Sequence, residues 1–184
     1  MKITSSSIIL DSDPRIRLKS EPVTLPLSPE DKELLTSMLT YVRDSQNPEI
    51  AEAEGLQAAV GIAAIQLGIA KQLIAVVVPN EDGSVSEVAL ANPKIISESV
   101  QNGYLENGEG CLSVKDEHEG HVFRHARIKV RAYDLIQDEK VIISAEGYFG
   151  IALQHEIDHL SGILFYDRID IDDPWKDDEE AEVI

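Results

Sequence analysis

Residues 154–160 read QHEIDHL, and no other stretch restricts the fold as much. Two histidines four positions apart, with a glutamate directly after the first, can act together on an α-helix, where residues i and i+4 lie one above the other. His155 and His159 can therefore address one metal ion from a helix, with Glu156 beside it to handle protons, the H-E-x-x-H arrangement. The alternative is two solvated histidines on a surface helix. The helix is read from Gly147, with Tyr148, Ile151, Ala152, His155 and His159 along one stripe and Gly162 marking its end.

The remaining periodicities place this helix in an α+β fold. An earlier helix begins at Ser28, a capping residue, with Pro29 in its first turn and Asp31 completing a capping box. Leu34, Leu35, Met38, Leu39 and Val42 form its apolar face, and Asn47-Pro48 ends it. Between the helices, QLIAVVV (72–78) is a buried strand. EVALANPKIISESV has strand character broken at Asn92-Pro93, ARIKVRAYDL alternates as a half-buried strand does, and KVIISAEG is a further strand. Antiparallel sheets packed around a central helix that carries the two histidines are the expected architecture. At 184 residues the chain suits one domain, residues 1–184, with an acidic tail from about residue 170.

Charge and composition exclude several functions. Sixteen basic against 34 acidic residues give a net charge of −18, which repels nucleic acid at long range. Eight acids and one base fall in DIDDPWKDDEEAEVI at the end, read as a solvated tail. No apolar run is long enough to cross a membrane, and the start lacks the pattern of a secretory signal, so the cytoplasm is the expected compartment. A single cysteine excludes an internal disulfide. Cys111 is either a small buried hydrophobe or a thiolate in use. His118 and His121, in HEGH, read as a solvated polar loop, His125 as structural, and Asp158 as solvated or as support for the ligands.

A catalytic site of this kind needs a third protein ligand and an open position. The histidine that metzincins place six residues after the second one is Phe165 here. A downstream glutamate of the thermolysin kind falls near Glu179 and Glu180, in the charged tail, where rigid ligation is hard. Upstream, NGEGCLSV sets the sole cysteine between a glycine and an apolar stretch. EGCLS and QHEIDHL, together with VGIAAIQLG at residues 60–68, resemble the three motifs of the peptide deformylase family, in the family's order. The resemblance runs from about Ala58 to Asp167. The longer stretch between CLSV and FRHARI and the acidic end resemble the type II branch. Ala59 stands where the family has glycine, a change that matters if that position needs φ > 0. Ile65 departs at a variable place.

The resemblance implies hydrolysis of the formyl group from the N-terminal formylmethionine of new polypeptides. It implies one divalent ion per chain on Cys111, His155 and His159, Fe²⁺ in the cell, with Zn²⁺, Ni²⁺ or Co²⁺ able to occupy purified protein. A water activated by the ion attacks, Glu156 is general base and then acid, and the Gln66 amide with the Leu112 backbone N–H stabilises the charge on the formyl oxygen. Val60, Gly61 and Gly110 would meet an extended peptide, while Tyr148, Ile151 and Ala152 form the wall for its first side chain. Glu109 and Arg124 are a candidate ion pair bracing the cysteine loop. The implied partners are the N-termini of nascent formylated chains and, through them, the ribosome. A small metallopeptidase and a catalytically weakened peptide-binding relative are the competing readings.

Overall fold

The computed structural model describes residues 1–184. Helix α1, Pro29–Ser45, starts where Ser28 accepts a hydrogen bond from the Asp31 backbone N–H at 3.1 Å. Its apolar stripe, Leu34, Leu35, Met38, Leu39 and Val42, is buried, each side chain contributing on the order of 1.5–3 kcal/mol. Asp31 does not complete a capping box; its buried carboxylate takes Lys71 Nζ at 2.6 Å instead. Asn47 does end the helix, and it also caps a second one, α2, Pro48–Glu54.

Strands β1 (Gly61–Ala63), β2 (Leu73–Pro79), β3 (Val85–Glu98), β6 (Arg127–Asp134) and β7 (Glu139–Glu146) form an antiparallel sheet in the order β1-β2-β3-β6-β7. The break read at Asn92-Pro93 is a bulge inside β3, with the register shifting between Ala91 and Lys94. Asn92 takes φ of 54° there, and its side-chain amide pins Val23 through both backbone N–H and C=O at 2.8 Å. Leu73, Ala75 and Val77 of β2 join the core under α1. Ile74, Val76 and Val78 join the core under α3, Gly147–His159. A strand covered on both faces has to be apolar throughout, which is why 73–78 reads as an unbroken run.

Strands β4 (Asn102–Tyr104), β5 (Arg124–His125) and β8 (Glu182–Val183) form a smaller sheet, β5-β4-β8, whose β4 and β8 are parallel. Helix α3 contacts β1, β2 and β7 of the large sheet and β4 and β5 of the small one. It ends at His159; Gly162 follows at φ of 71°, where any Cβ would lie 2.3 Å from the Arg17 carbonyl oxygen. No helix is long and apolar enough to cross a membrane.

Two expectations fail on long-range packing. The acidic end is laid back on the body rather than free: Ile184 N–H donates to Tyr104 O at 2.9 Å, Glu106 N–H to Ile184 O at 3.1 Å, and His121 N–H to Pro174 O at 2.8 Å. Most of its acids remain exposed, so its backbone and Trp175 make the attachment. The HEGH loop is not a solvated one either. His121 is buried among Tyr104, Phe123 and Trp175, with Nδ1 2.9 Å from the Lys176 carbonyl oxygen, and His118 stacks on Tyr166. His125 is structural, its Nδ1 2.8 Å from the Ser99 carbonyl oxygen.

Candidate metal centre and active site

Helix α3 brings His155, Glu156 and His159 to one side, and the loop after β4 carries Cys111 over them. The ligand atoms of Cys111, His155 and His159 lie within 4.8 Å of one another, with Cys111 Sγ 3.4 Å from His159 Nε2. A thiolate and two imidazoles at this spacing are a donor set for one divalent ion of intermediate softness. The surroundings fit a cation as well. Cys111 and Glu109 favour positive charge at His155 strongly enough to outweigh the opposing effect of its burial. Burial holds His159 well below its ordinary pKa.

Glu109 decides how His155 is presented. Its Oε2 lies 2.8 Å from His155 Nδ1, which leaves Nε2 to face the cysteine. Burial alone would raise the Glu109 carboxyl, but hydrogen bonds from Arg124 and His155 hold it at about 2. Arg124 grips it with Nε at 2.6 Å and Nη2 at 2.9 Å, the pairing the sequence suggested. Asp158 is not solvated: its Oδ2 accepts from Arg124 Nη1 at 2.9 Å.

Glu156 is 4 % exposed, and its Oε2 has no hydrogen-bond partner within the protein. Burial pushes its carboxyl up to about 7, against the lowering influence of His155 and Arg124. It lies directly on Gly61, where a Cβ would come within 2.5 Å of Glu156 Oε1. Gly61 is thus required first by the glutamate, whereas Gly110 faces open space. Gln66 is fixed by Ala63 N–H, which donates to its Oε1 at 2.9 Å, so its amide nitrogen turns to Ser113 Oγ at 3.2 Å and Cys111 Sγ at 3.5 Å. The Leu112 N–H makes no hydrogen bond within the chain.

A cavity of about 590 Å³ opens over these groups. Val60, Gly61, Gln66, Gly110, Cys111, Leu112, Tyr148, Ile151, Ala152, His155 and Glu156 line it, so every residue the sequence assigned to metal, chemistry or substrate reaches it except His159, which is 1 % exposed behind them. Gln46, Pro79, Leu105 and Glu109 line it too. Sequence reasoning missed Ser113 and Gln46. Gln46 bonds the carbonyls of Ala59 and Val77 at 2.9 and 2.8 Å, a link across 31 positions that leaves no local pattern. Ala59 does not have positive φ, so its side chain introduces no backbone strain.

Three protein donors converging beside a buried carboxylate, at the floor of an open cavity, define a metal-dependent hydrolase. The chain belongs to the polypeptide deformylase family, whose sequence model matches residues 5–175. The peptide deformylase of Oceanobacillus iheyensis is 47% identical over 182 residues, 99% of each chain. Peptide deformylase 2 of Geobacillus stearothermophilus is 49% identical over 174 residues, 95% of this chain and 94% of that one. Among solved structures, the peptide deformylase of Ehrlichia chaffeensis matches with a TM-score of 0.72 at 28% identity, covering 95% of this chain and 91% of that one. That of Thermus thermophilus matches with 0.69 at 32%, covering 89% and 85%.

Proposed function

We propose that the cavity receives the formylated N-terminus of a nascent polypeptide and that residues 1–184 act as one catalytic domain releasing formate from it. The observation that carries this reading is the convergence of Cys111, His155 and His159 with Glu156 buried beside them. A divalent ion on those three ligands, Fe²⁺ in the cell and Zn²⁺, Ni²⁺ or Co²⁺ in purified protein, supplies a Lewis acid and lowers the pKa of water. Glu156 takes the proton of the attacking water and delivers it to the amine nitrogen as the formyl C–N bond breaks; a carboxyl near 7 serves both transfers. Charge gathering on the formyl oxygen is met by the Gln66 amide, already oriented by Ala63, and by the Leu112 N–H.

Strand β1 is at an edge of the large sheet, so Val60 and Gly61 offer backbone to a peptide lying as an added strand opposite Gly110. Tyr148, Ile151 and Ala152, one turn and two turns before His155, form the wall for the methionine side chain. The partner is a nascent chain at the ribosome, and the compartment is the cytoplasm. Formate release from a formyl-Met peptide by Fe²⁺- or Ni²⁺-loaded protein, measured without oxygen, tests the reading. Cleavage of an internal peptide bond with no formate would replace it by a metallopeptidase; a loaded protein that binds peptide and releases nothing would make it a binding module.

A further inference from the structure

Arg168 closes the short turn Phe165–Arg168 beyond α3, on the surface, with its side chain 40% exposed. It nevertheless connects to the metal centre. Its Nε donates to Asp158 Oδ2 at 2.6 Å and its Nη2 to Oδ1 at 2.7 Å. Asp158 holds Arg124, Arg124 holds Glu109, and Glu109 holds His155 Nδ1. Charge alternates along the series, and its interior members are withdrawn from water: the side chains of Asp158, Arg124 and Glu109 are 13, 2 and 3% exposed.

Arg124 is the shared member, and its rigidity transmits the effect. A guanidinium presents its N–H donors in a planar fork and cannot bend to serve two carboxylates separately. Here Nε and Nη2 serve Glu109 while Nη1 serves Asp158. Arg168 is the only partner of Asp158 Oδ1 and shares Oδ2 with Arg124. Without Arg168, the charge of a mostly buried carboxylate falls on Arg124 alone, and Arg124 can answer it better only by turning out of the Glu109 plane. Glu109 then loses the geometry that points His155 Nε2 at its target.

We infer that Arg168 is a positioning residue for the metal centre, fixing His155 from the protein surface through Asp158, Arg124 and Glu109. The inference rests on the ligand role of His155 proposed above. Its rival is that Arg168 simply staples its own turn. Arg17 separates the two, because it holds the same turn through an ion pair with Asp167 and a 3.1 Å hydrogen bond to the Tyr166 hydroxyl, yet touches no member of the series.

The test compares Arg168→Met, Arg168→Lys and Arg17→Met for transfer of bound Zn²⁺ to a chelator, for the visible absorption of the Co²⁺ form, and for kcat and KM on a formyl-Met peptide. Loss of a group bonded directly to a ligand costs about 10- to 100-fold in metal affinity. Arg168 stands further out, so Arg168→Met is expected to release Zn²⁺ roughly 3- to 10-fold more readily, alter the Co²⁺ spectrum and lower kcat with KM unchanged. Arg168→Lys should recover part of this, and Arg17→Met, whose lost charge opposed a cation at His159, should lower Tm without weakening Zn²⁺ retention. Wild-type Zn²⁺ retention in Arg168→Met overturns the inference, as does an equal loss in Arg17→Met. Zn²⁺ transfer requires no substrate, so a chain inactive on formyl peptides would refute the proposed function and still leave this comparison decisive.

Discussion

The two sides of α3 treat polar groups in opposite ways. Toward the cavity, Glu156 Oε2 is buried without a hydrogen-bond partner, one of only three such side-chain atoms in the protein. On the side toward β5, Gln154 Oε1 accepts from His125 N–H at 3.0 Å and its Nε2 donates to the carbonyls of His125 and Gly150 at 2.9 and 3.1 Å, pairing with the His125 backbone as a neighbouring strand would. Asp158 is likewise fully engaged. One helix thus keeps its buried carboxylate uncommitted on one side while Gln154 and Asp158 are saturated on the other. Gln154 and Glu156, two positions apart on α3, therefore carry opposite duties, one to backbone pairing and one to the cavity.

The largest effect expected is from Cys111→Ala, which should leave a folded protein that retains no ion after dialysis and releases no formate; stoichiometric metal by elemental analysis would dissolve the cavity side as a metal centre. Next, Glu156→Gln should keep its metal and lose about 10²- to 10⁴-fold in kcat. Its Tm should hold or rise, because a buried carboxylate without adequate partners is exchanged for a neutral amide. A fall in Tm like that of a core mutant would erase the contrast between the two sides. Third, Gly61→Ala places a methyl against the Glu156 carboxylate. Displacing the proton carrier by about an ångström should lower kcat roughly 10- to 100-fold with metal content unchanged. Smallest in turnover is Gln154→Leu, which strips partners from the His125 backbone. Denaturant unfolding should show a loss of about 1–3 kcal/mol while kcat/KM stays near wild type. Should activity fall more than stability, the far side is part of the catalytic apparatus.

What the sequence revealed divides by distance along the chain. The α1 stripe, the alternation in β6 and the H-E-x-x-H spacing are local patterns set by helix and strand geometry, and they place the core and bring His155 and His159 to one side of α3. Cys111 comes from 44 positions before His155 and was reached through the resemblance of its motif. Glu109 could be paired with Arg124 by charge, but its hold on His155, 46 positions away, depends on how the loop folds over the helix. The same limit explains His121 and the acidic end. Composition argued for solvent at both, whereas an aromatic surround built from Tyr104, Phe123 and Trp175 is visible only after β4, β5 and the chain's last segment have met.

That last segment sets an order of events during synthesis. Cys111, His155 and His159 all precede residue 160, yet the strand leading into the lip of the cavity, Asn102–Tyr104, gains its outer neighbour only through Glu182–Val183, and Glu106 bonds to Ile184. That pairing closes a loop of nearly eighty residues, the longest-range contact in the small sheet. A growing chain therefore contains Cys111, His155 and His159 before it contains the strand that braces the lip. Truncation short of residue 182 should yield a protein that holds its ion while its lip, from Leu105 to Gly110, exchanges backbone hydrogens quickly.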